Sequence, residues 1–205
     1  MRIEESFLAV SGHFDLWVRL MEIRTRTMEA RDSSIRDSRI LMICPPTDAG
    51  IKMLAQANPG GESHLLCFSD ALATIARQYA LQHKIEGLEI GVRPFFSVPS
   101  DDNYYDAVFA NCFFDFCEET DFIGILQEIK RVLKHEGMFF SVYMGLPTGI
   151  VGRVWSNLFR RFPSLSHGCH PVDIRPSLTG CGFELKKDLT MTRLGFPIEY
   201  LMAEG

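Results

Sequence analysis

The chain has 205 residues, of which 46% are hydrophobic and 23% charged, proportions typical of one globular domain with a sizeable core. The net charge of −5, without a block of like charges, argues against a nucleic-acid-binding surface. No apolar run reaches the roughly 18 residues that span a membrane, and the six cysteines form no C-x-x-C pair, so we expect reduced thiols and a cytoplasmic protein.

Residues 1–37 read as a helical extension, because Phe14, Trp17 and Met21 recur at helical spacing between charged residues. The segment 39–50, RILMICPPTDAG, then reads as a buried strand, a tight turn and the start of a helix over 49–57. In an α/β protein, a nucleotide-like ligand is usually held at such a strand-to-helix turn.

The remaining segments alternate between strand and helix patterns. The predicted strands cover residues 64–68, 88–92, 105–110 and 138–143, and two final strands at 183–192 and 198–203 flank a Gly-Phe-Pro connection. The predicted helices cover 72–82, 119–133, 150–162 and 174–179. This order predicts a single α/β domain over 1–205, a Rossmann-like seven-stranded, mostly parallel sheet with helices on both faces and a C-terminal antiparallel hairpin. Residues 145–172 read as a lid-like insertion.

Two long segments carry a family resemblance. VPSDDNYYDAVFANCFF at 98–114 and ILQEIKRVLKHEGMFFSV at 125–142 resemble the fourth strand, following helix and fifth strand of class I S-adenosylmethionine-dependent methyltransferases. Among these, the chain is most similar to the ubiquinone/menaquinone type. HPVDIRPSLTGCGFEL and LGFPIEYLMAE resemble the family's closing helix and hairpin. The resemblance covers roughly residue 13 to the C-terminus.

The residues at the family's cofactor positions depart from the family pattern. The family has an acid in strand one and a G-x-G-x-G turn after it, whereas this chain has Met42 and then Cys44, Pro46 and Asp48. The acid that ends strand two in the family corresponds to Cys67. The motif is therefore degenerate, and a lost hydrogen bond to a charged group costs about 1.5–3 kcal/mol.

The resemblance nevertheless implies where S-adenosylmethionine would lie. It implies contacts with the end of strand one and its turn, adenine near the end of strand two, and a further contact after strand four. The residues concerned are Ile43, Cys44, Thr47, Phe68, Ser69 and Asn111.

Asp115 is the candidate general base, because a carboxylate among phenylalanines is expected to have a raised pKa. The alternative is that Asp115 caps the following turn. His170 is a second catalytic candidate, on the loop that covers the acceptor in the resembled family. His167, Cys169 and His170 supply only three ligand types within four residues, so we expect no metal.

The helix at 150–162 has a broad apolar face that includes Trp155 and Phe159. It is either a lid helix packed on the domain, or a helix that presents aromatic rings to a greasy acceptor, a partner chain or a membrane surface. With Phe113, Phe114 and Asp115, these two residues are expected to line the mouth of the pocket. A peripheral membrane contact and a homodimer both stay open.

Two functions follow. The first is methyl transfer from S-adenosylmethionine to a small hydrophobic or quinone-like acceptor. The second is a non-catalytic methyltransferase-like protein that binds another ligand or a protein partner.

Overall fold

The computed structural model describes residues 3–11, 32, 34–93, 96–147, 149–161, 166–193 and 196–205. For residues 155, 156, 158–160, 193 and 196 the description extends to the backbone only. Within these ranges lie seven strands and six α-helices. The strands are β1 (Arg39–Ile43), β2 (Glu62–Cys67), β3 (Leu88–Val92), β4 (Tyr105–Asn111), β5 (Leu133–Met144), β6 (Glu184–Arg193) and β7 (Phe196–Glu204). The helices are α1 (Ile3–Ser11), α2 (Ala49–Ala57), α3 (Asp70–His83), α4 (Phe122–Val132), α5 (Ile150–Arg161) and α6 (Arg175–Gly180).

The strands form one sheet in the order β3-β2-β1-β4-β5-β7-β6. β1 to β5 are parallel, and β7 runs antiparallel to both β5 and β6. Helices join β1 to β2, β2 to β3 and β4 to β5, whereas β6 and β7 form the closing hairpin. This is the predicted Rossmann-like α/β fold, and the prediction is confirmed.

The core lies on the central strands, whose side chains are almost all buried. Ile40, Met42 and Ile43 of β1 are fully shielded from solvent, as expected for a parallel strand covered on both faces. Phe109 of β4 stacks on Phe140 of β5 with ring centroids 4.7 Å apart. Helices flank this sheet, with α1 packed on α3 and α4 packed on α6.

The predicted bounds of α2 and β3 agree with the structure, whereas β5 begins five residues earlier than predicted. Leu133 already pairs with Tyr105, and the register then shifts so that Met138 pairs with Ala107. Residues 134–137, which separate the predicted helix from the predicted strand, are the bulge between these pairs, where Glu136 has a positive φ of 67°. They are thus part of the strand.

Most of the predicted N-terminal helical extension lies outside the described residues. Its described residues are helical in α1 and at Asp32, whereas residues 34–38 form a non-helical connection in which Ser34 and Asp37 have positive φ values. All six cysteines are free thiols. Among the described residues, none of the helices is long and apolar enough to cross a membrane.

Candidate functional site

The carboxyl ends of β1, β2 and β4 meet at one edge of the sheet. β1 lies between β2 and β4. The strand order runs outward from β1 to β2 and β3 on one side, and from β4 to β5 on the other. Such a switch point opens a crevice where ligands bind in open α/β sheets. All six residues predicted to contact a cofactor lie at this edge or on the loops that leave it. They are Ile43, Cys44, Thr47, Phe68, Ser69 and Asn111.

The turn after β1 is closed by its own residues. The Asp48 amide donates to the Pro45 carbonyl at 3.0 Å, and the fully buried Asp48 carboxylate caps α2 by accepting from the Gly50 amide at 2.5 Å. The Thr47 hydroxyl donates to the carbonyl of Ser11 in α1 at 3.3 Å. The N-terminus of α2, usually a ready anion site, is therefore capped from within the protein.

The end of β2 offers a buried thiol instead of a carboxylate. Cys67 is 3% exposed, and burial raises the pKa of its thiol to about 12, so the group stays neutral. Ser69 accepts from the Leu72 amide at 3.3 Å and so caps α3. Neither residue supplies the negative charge that would hold ribose hydroxyls.

Five phenylalanines pack across the crevice, and we refer to them as the aromatic cluster: Phe7, Phe68, Phe96, Phe113 and Phe116. Phe7 of α1 lies 6.0 Å from Phe68 and meets Phe116 edge-on at 5.4 Å. Phe113 stacks on Phe68 at 5.8 Å and lies 5.5 Å from Phe96. Rings at such separations attract one another, and the cluster fills the edge between β2 and β4 with apolar side chains.

The chain turns sharply after β4. Asn111, the last residue of the strand, is 2% exposed. Cys112 follows with a φ of 47°, a left-handed conformation that costs a non-glycine residue free energy and tends to occur at functional sites. The Cys112 amide donates to the Val142 carbonyl at 2.8 Å, which fixes the turn against β5.

Asp115 joins three segments at this turn. It lies in a short 3-10 helix, Phe114–Phe116, and is 3% exposed. Its carboxylate accepts from the Met144 amide at the end of β5 at 2.6 Å, and its carbonyl accepts from the His170 amide at 2.9 Å. The two predicted catalytic residues are thus neighbours, and the bond that joins them runs between main chains.

The predicted aromatic mouth is wrong for Phe114. Its ring is fully buried and packs edge-on against Phe122 of α4 at 5.3 Å and near Phe139 of β5. Phe114 is therefore a core residue beneath α4, because the 3-10 turn rotates it away from the sheet edge. The side chains of Trp155 and Phe159 lie outside the described residues.

A charged cluster beside β5 was not predicted from the sequence. Arg175 donates to Glu199 at 2.6 Å and to Asp188 at 2.8 Å, and Thr190 donates to Glu199 at 2.7 Å. Beside them lies the fully buried Tyr143 hydroxyl, which has no hydrogen-bond partner among the described residues, and burial raises its pKa. These residues come from three distant segments, so no local spacing could have predicted the cluster.

The residues at the crevice offer few of the contacts that the resemblance implies for S-adenosylmethionine. The cofactor needs hydrogen-bond acceptors for its ribose and amino groups, and the corresponding positions carry Cys67, Met42 and a proline turn. The space at the end of β2 is filled by Phe7 and Phe113 around Phe68.

A comparison with known protein families finds a match over the segment that forms much of the crevice. A family described as "Methyltransferase domain" matches residues 45–141, from the turn after β1 to the middle of β5. Among curated proteins, none matches the sequence.

Solved structures of the same fold cover nearly the whole chain. A SAM-dependent methyltransferase from Aquifex aeolicus is similar with a TM-score of 0.71 and 14% identity, over 91% of this chain and 92% of that one. A geranyl diphosphate methyltransferase in complex with SAM has a TM-score of 0.69 and 12% identity, over 95% and 89%. The [4+2]-cyclase SpnF has a TM-score of 0.68 and 15% identity, over 88% and 79%. The chain has the fold of SAM-dependent methyltransferases.

Proposed function

We propose that the protein transfers a methyl group from S-adenosylmethionine to a small hydrophobic acceptor. The observation that carries this proposal is the methyltransferase-domain match over residues 45–141, which spans the crevice of a chain with this fold. The apolar aromatic cluster favours a hydrophobic acceptor. Geranyl diphosphate, the substrate named for one structural neighbour, carries a hydrocarbon group of this kind. A quinone-like acceptor is one member of this class.

One specific observation favours a second function, in which the protein binds another ligand or a partner without transferring a methyl group. The aromatic cluster packs across the crevice, and Met42 and Cys67 stand at two of the family's acid positions, so the crevice offers few charged contacts to the cofactor. The same fold also occurs in a protein named as a [4+2]-cyclase, and a fold alone does not fix a reaction.

Calorimetry with S-adenosylmethionine and S-adenosylhomocysteine distinguishes the two functions. Saturable binding of either compound at up to millimolar concentration supports methyl transfer, and a transfer assay with a radiolabelled methyl donor and prenylated or quinone acceptors then identifies the acceptor. The absence of binding by both compounds, in protein shown to be folded, would contradict the first function and favour the second.

The variant Cys67→Asp sharpens this experiment, because it places an acid at the end of β2. A new hydrogen bond to a charged group contributes about 1.5–3 kcal/mol, so we expect roughly tenfold to hundredfold tighter binding of S-adenosylhomocysteine. Cys67→Asn is the control of matched size without the charge. Equal affinity in both variants would mean that the ribose does not lie at this position.

A further inference from the structure

An exposed apolar surface lies at the end of β5 and on the first turns of α5. Leu146, Ile150, Val151 and Val154 are 54%, 82%, 56% and 62% exposed, and we refer to these four residues as the α5 patch. Positions 150, 151 and 154 lie on one side of the helix. Single exposed apolar residues are ordinary, whereas a contiguous group marks an interaction surface.

The charge around the α5 patch is opposite to that of the whole chain. Residues 146–161, LPTGIVGRVWSNLFRR, contain three arginines and no acidic residue, in a chain with a net charge of −5. Arg153 and Arg161 are both exposed. A helix with an apolar side and basic residues matches the chemistry of an anionic lipid surface, where apolar side chains enter the acyl boundary and arginines remain at the headgroups.

We propose that α5 binds the surface of an anionic lipid bilayer, with the α5 patch inserted at the headgroup boundary. Arg153 and Arg161 pair with lipid phosphates, and the helix lies in the plane of the interface without crossing the bilayer. This proposal does not depend on whether S-adenosylmethionine binds.

The alternative occupants fit this surface less well. A second copy bound through the same face would place the arginines of two α5 helices against each other, since a two-fold interface pairs identical patches. An anionic bilayer offers a hydrocarbon region for the apolar side chains and negatively charged headgroups along the whole length of the helix. The charge of the segment therefore selects lipid over a second copy.

The position of the α5 patch links it to the crevice. Leu146 follows Met144 by two residues, and the Met144 amide is held by Asp115 at the turn after β4. A bilayer against α5 would lie beside that turn. A hydrophobic molecule dissolved in the bilayer would then have a short path to the sheet edge.

Vesicle co-sedimentation tests the proposal directly, with vesicles of phosphatidylcholine alone and of phosphatidylcholine mixed with phosphatidylserine. We expect the protein to sediment with the phosphatidylserine vesicles, and to be released by high salt because the arginine contacts are screened. The absence of sedimentation with both vesicle types, or equal sedimentation with both, would overturn the proposal.

Variants separate the α5 patch from unspecific adhesion. Ile150→Ser combined with Val154→Ser should weaken partition into phosphatidylserine vesicles at least tenfold, because two exposed apolar side chains are lost. Arg153→Glu should weaken it several-fold. The controls are Leu81→Ser and Arg77→Glu on α3, where Leu81 is 79% exposed and Arg77 is also exposed.

Three results of these variants would contradict the lipid contact. The first is that the double variant partitions into the vesicles as strongly as the wild type, and the second is that the α3 control variants lose as much vesicle binding as the α5 variants. The third is a concentration-dependent dimer that the double variant abolishes in analytical ultracentrifugation, since this would assign the α5 patch to a second copy.

Discussion

Phe7→Ala tests whether the aromatic cluster closes the crevice against ligands. Phe7 is 1% exposed, and its ring contacts Phe68 and Phe116 across the edge of the sheet. Burial of a phenylalanine side chain contributes about 1.5–3 kcal/mol. If a ligand enters only after α1 lifts, this free energy opposes binding, and the apparent dissociation constant is raised by the inverse of the open fraction.

The variant should change stability and affinity in opposite directions. Loss of about 1.5–3 kcal/mol of burial free energy should lower the midpoint of thermal unfolding by roughly 3–12 °C in a chain of this length. The same loss should tighten the binding of S-adenosylhomocysteine by about tenfold to hundredfold, because α1 no longer competes for the crevice. Calorimetry with the ligand up to millimolar concentration, combined with thermal unfolding, measures both effects.

Leu8→Ala is the matched control, since Leu8 is on the same helix and 37% exposed. It should leave both quantities near their wild-type values. A Phe7→Ala protein that is less stable but binds no more tightly than the wild type would refute the reasoning. Phe7 would then be a packing residue with no part in access to the crevice.

Three further substitutions test other contacts. Asp115→Ala should lower the free energy of unfolding by about 1–3 kcal/mol, because it leaves the buried Met144 amide unpaired, whereas Asp115→Asn keeps an acceptor and should cost less; equal losses in denaturant titrations would contradict this. Glu128 has a lowered pKa, chiefly because Arg131 donates to it, so its stabilisation is present above its unfolded pKa of about 4.5 and is lost as the pH falls through the lower folded value. The stability difference between the wild type and Glu128→Gln should therefore shrink in acid, and a constant difference would count against it. Tyr143→Phe should change the free energy of unfolding by less than about 1 kcal/mol, since no described residue pairs with the hydroxyl, and a larger loss would reveal a partner.

Local patterns predicted the regular elements well. The glycines and Asn58 after α2 mark its end, and the apolar run Leu88–Val92 gives β3 its observed bounds. Alternation of strands and helices then restricts the topology to a few right-handed arrangements. The start of β5 was missed because Leu133 pairs with Tyr105 across a bulge, and a bulge in this position looks like a turn in the sequence.

The site was harder to predict because its contacts join distant segments. Phe7 and Phe68 meet although 61 positions separate them, and nothing in either segment indicates the other. The Asp115 carboxylate could be a base or a cap by local pattern, and its bond to the Met144 amide, 29 residues away, exists only in the folded chain. Phe68 and Phe113 were expected at this edge from the sequence, whereas the approach of Phe7 was not.

Side chains of the protein itself pack at the crevice and cap the helices beside it. The two helix N-termini that open towards it are capped by Asp48 and Ser69, and the space between the strand ends is filled by the aromatic cluster. A bound ligand stabilises a fold by an amount that grows with the logarithm of its concentration divided by its Kd, and here side chains make contacts without a ligand. Any ligand of the crevice must displace these contacts, which cost free energy to break. The α5 patch is different, because its apolar side chains are exposed and have no such contacts to lose. A partner that covers these side chains gains burial free energy without breaking existing contacts. Binding at α5 is therefore more favourable than binding at the crevice.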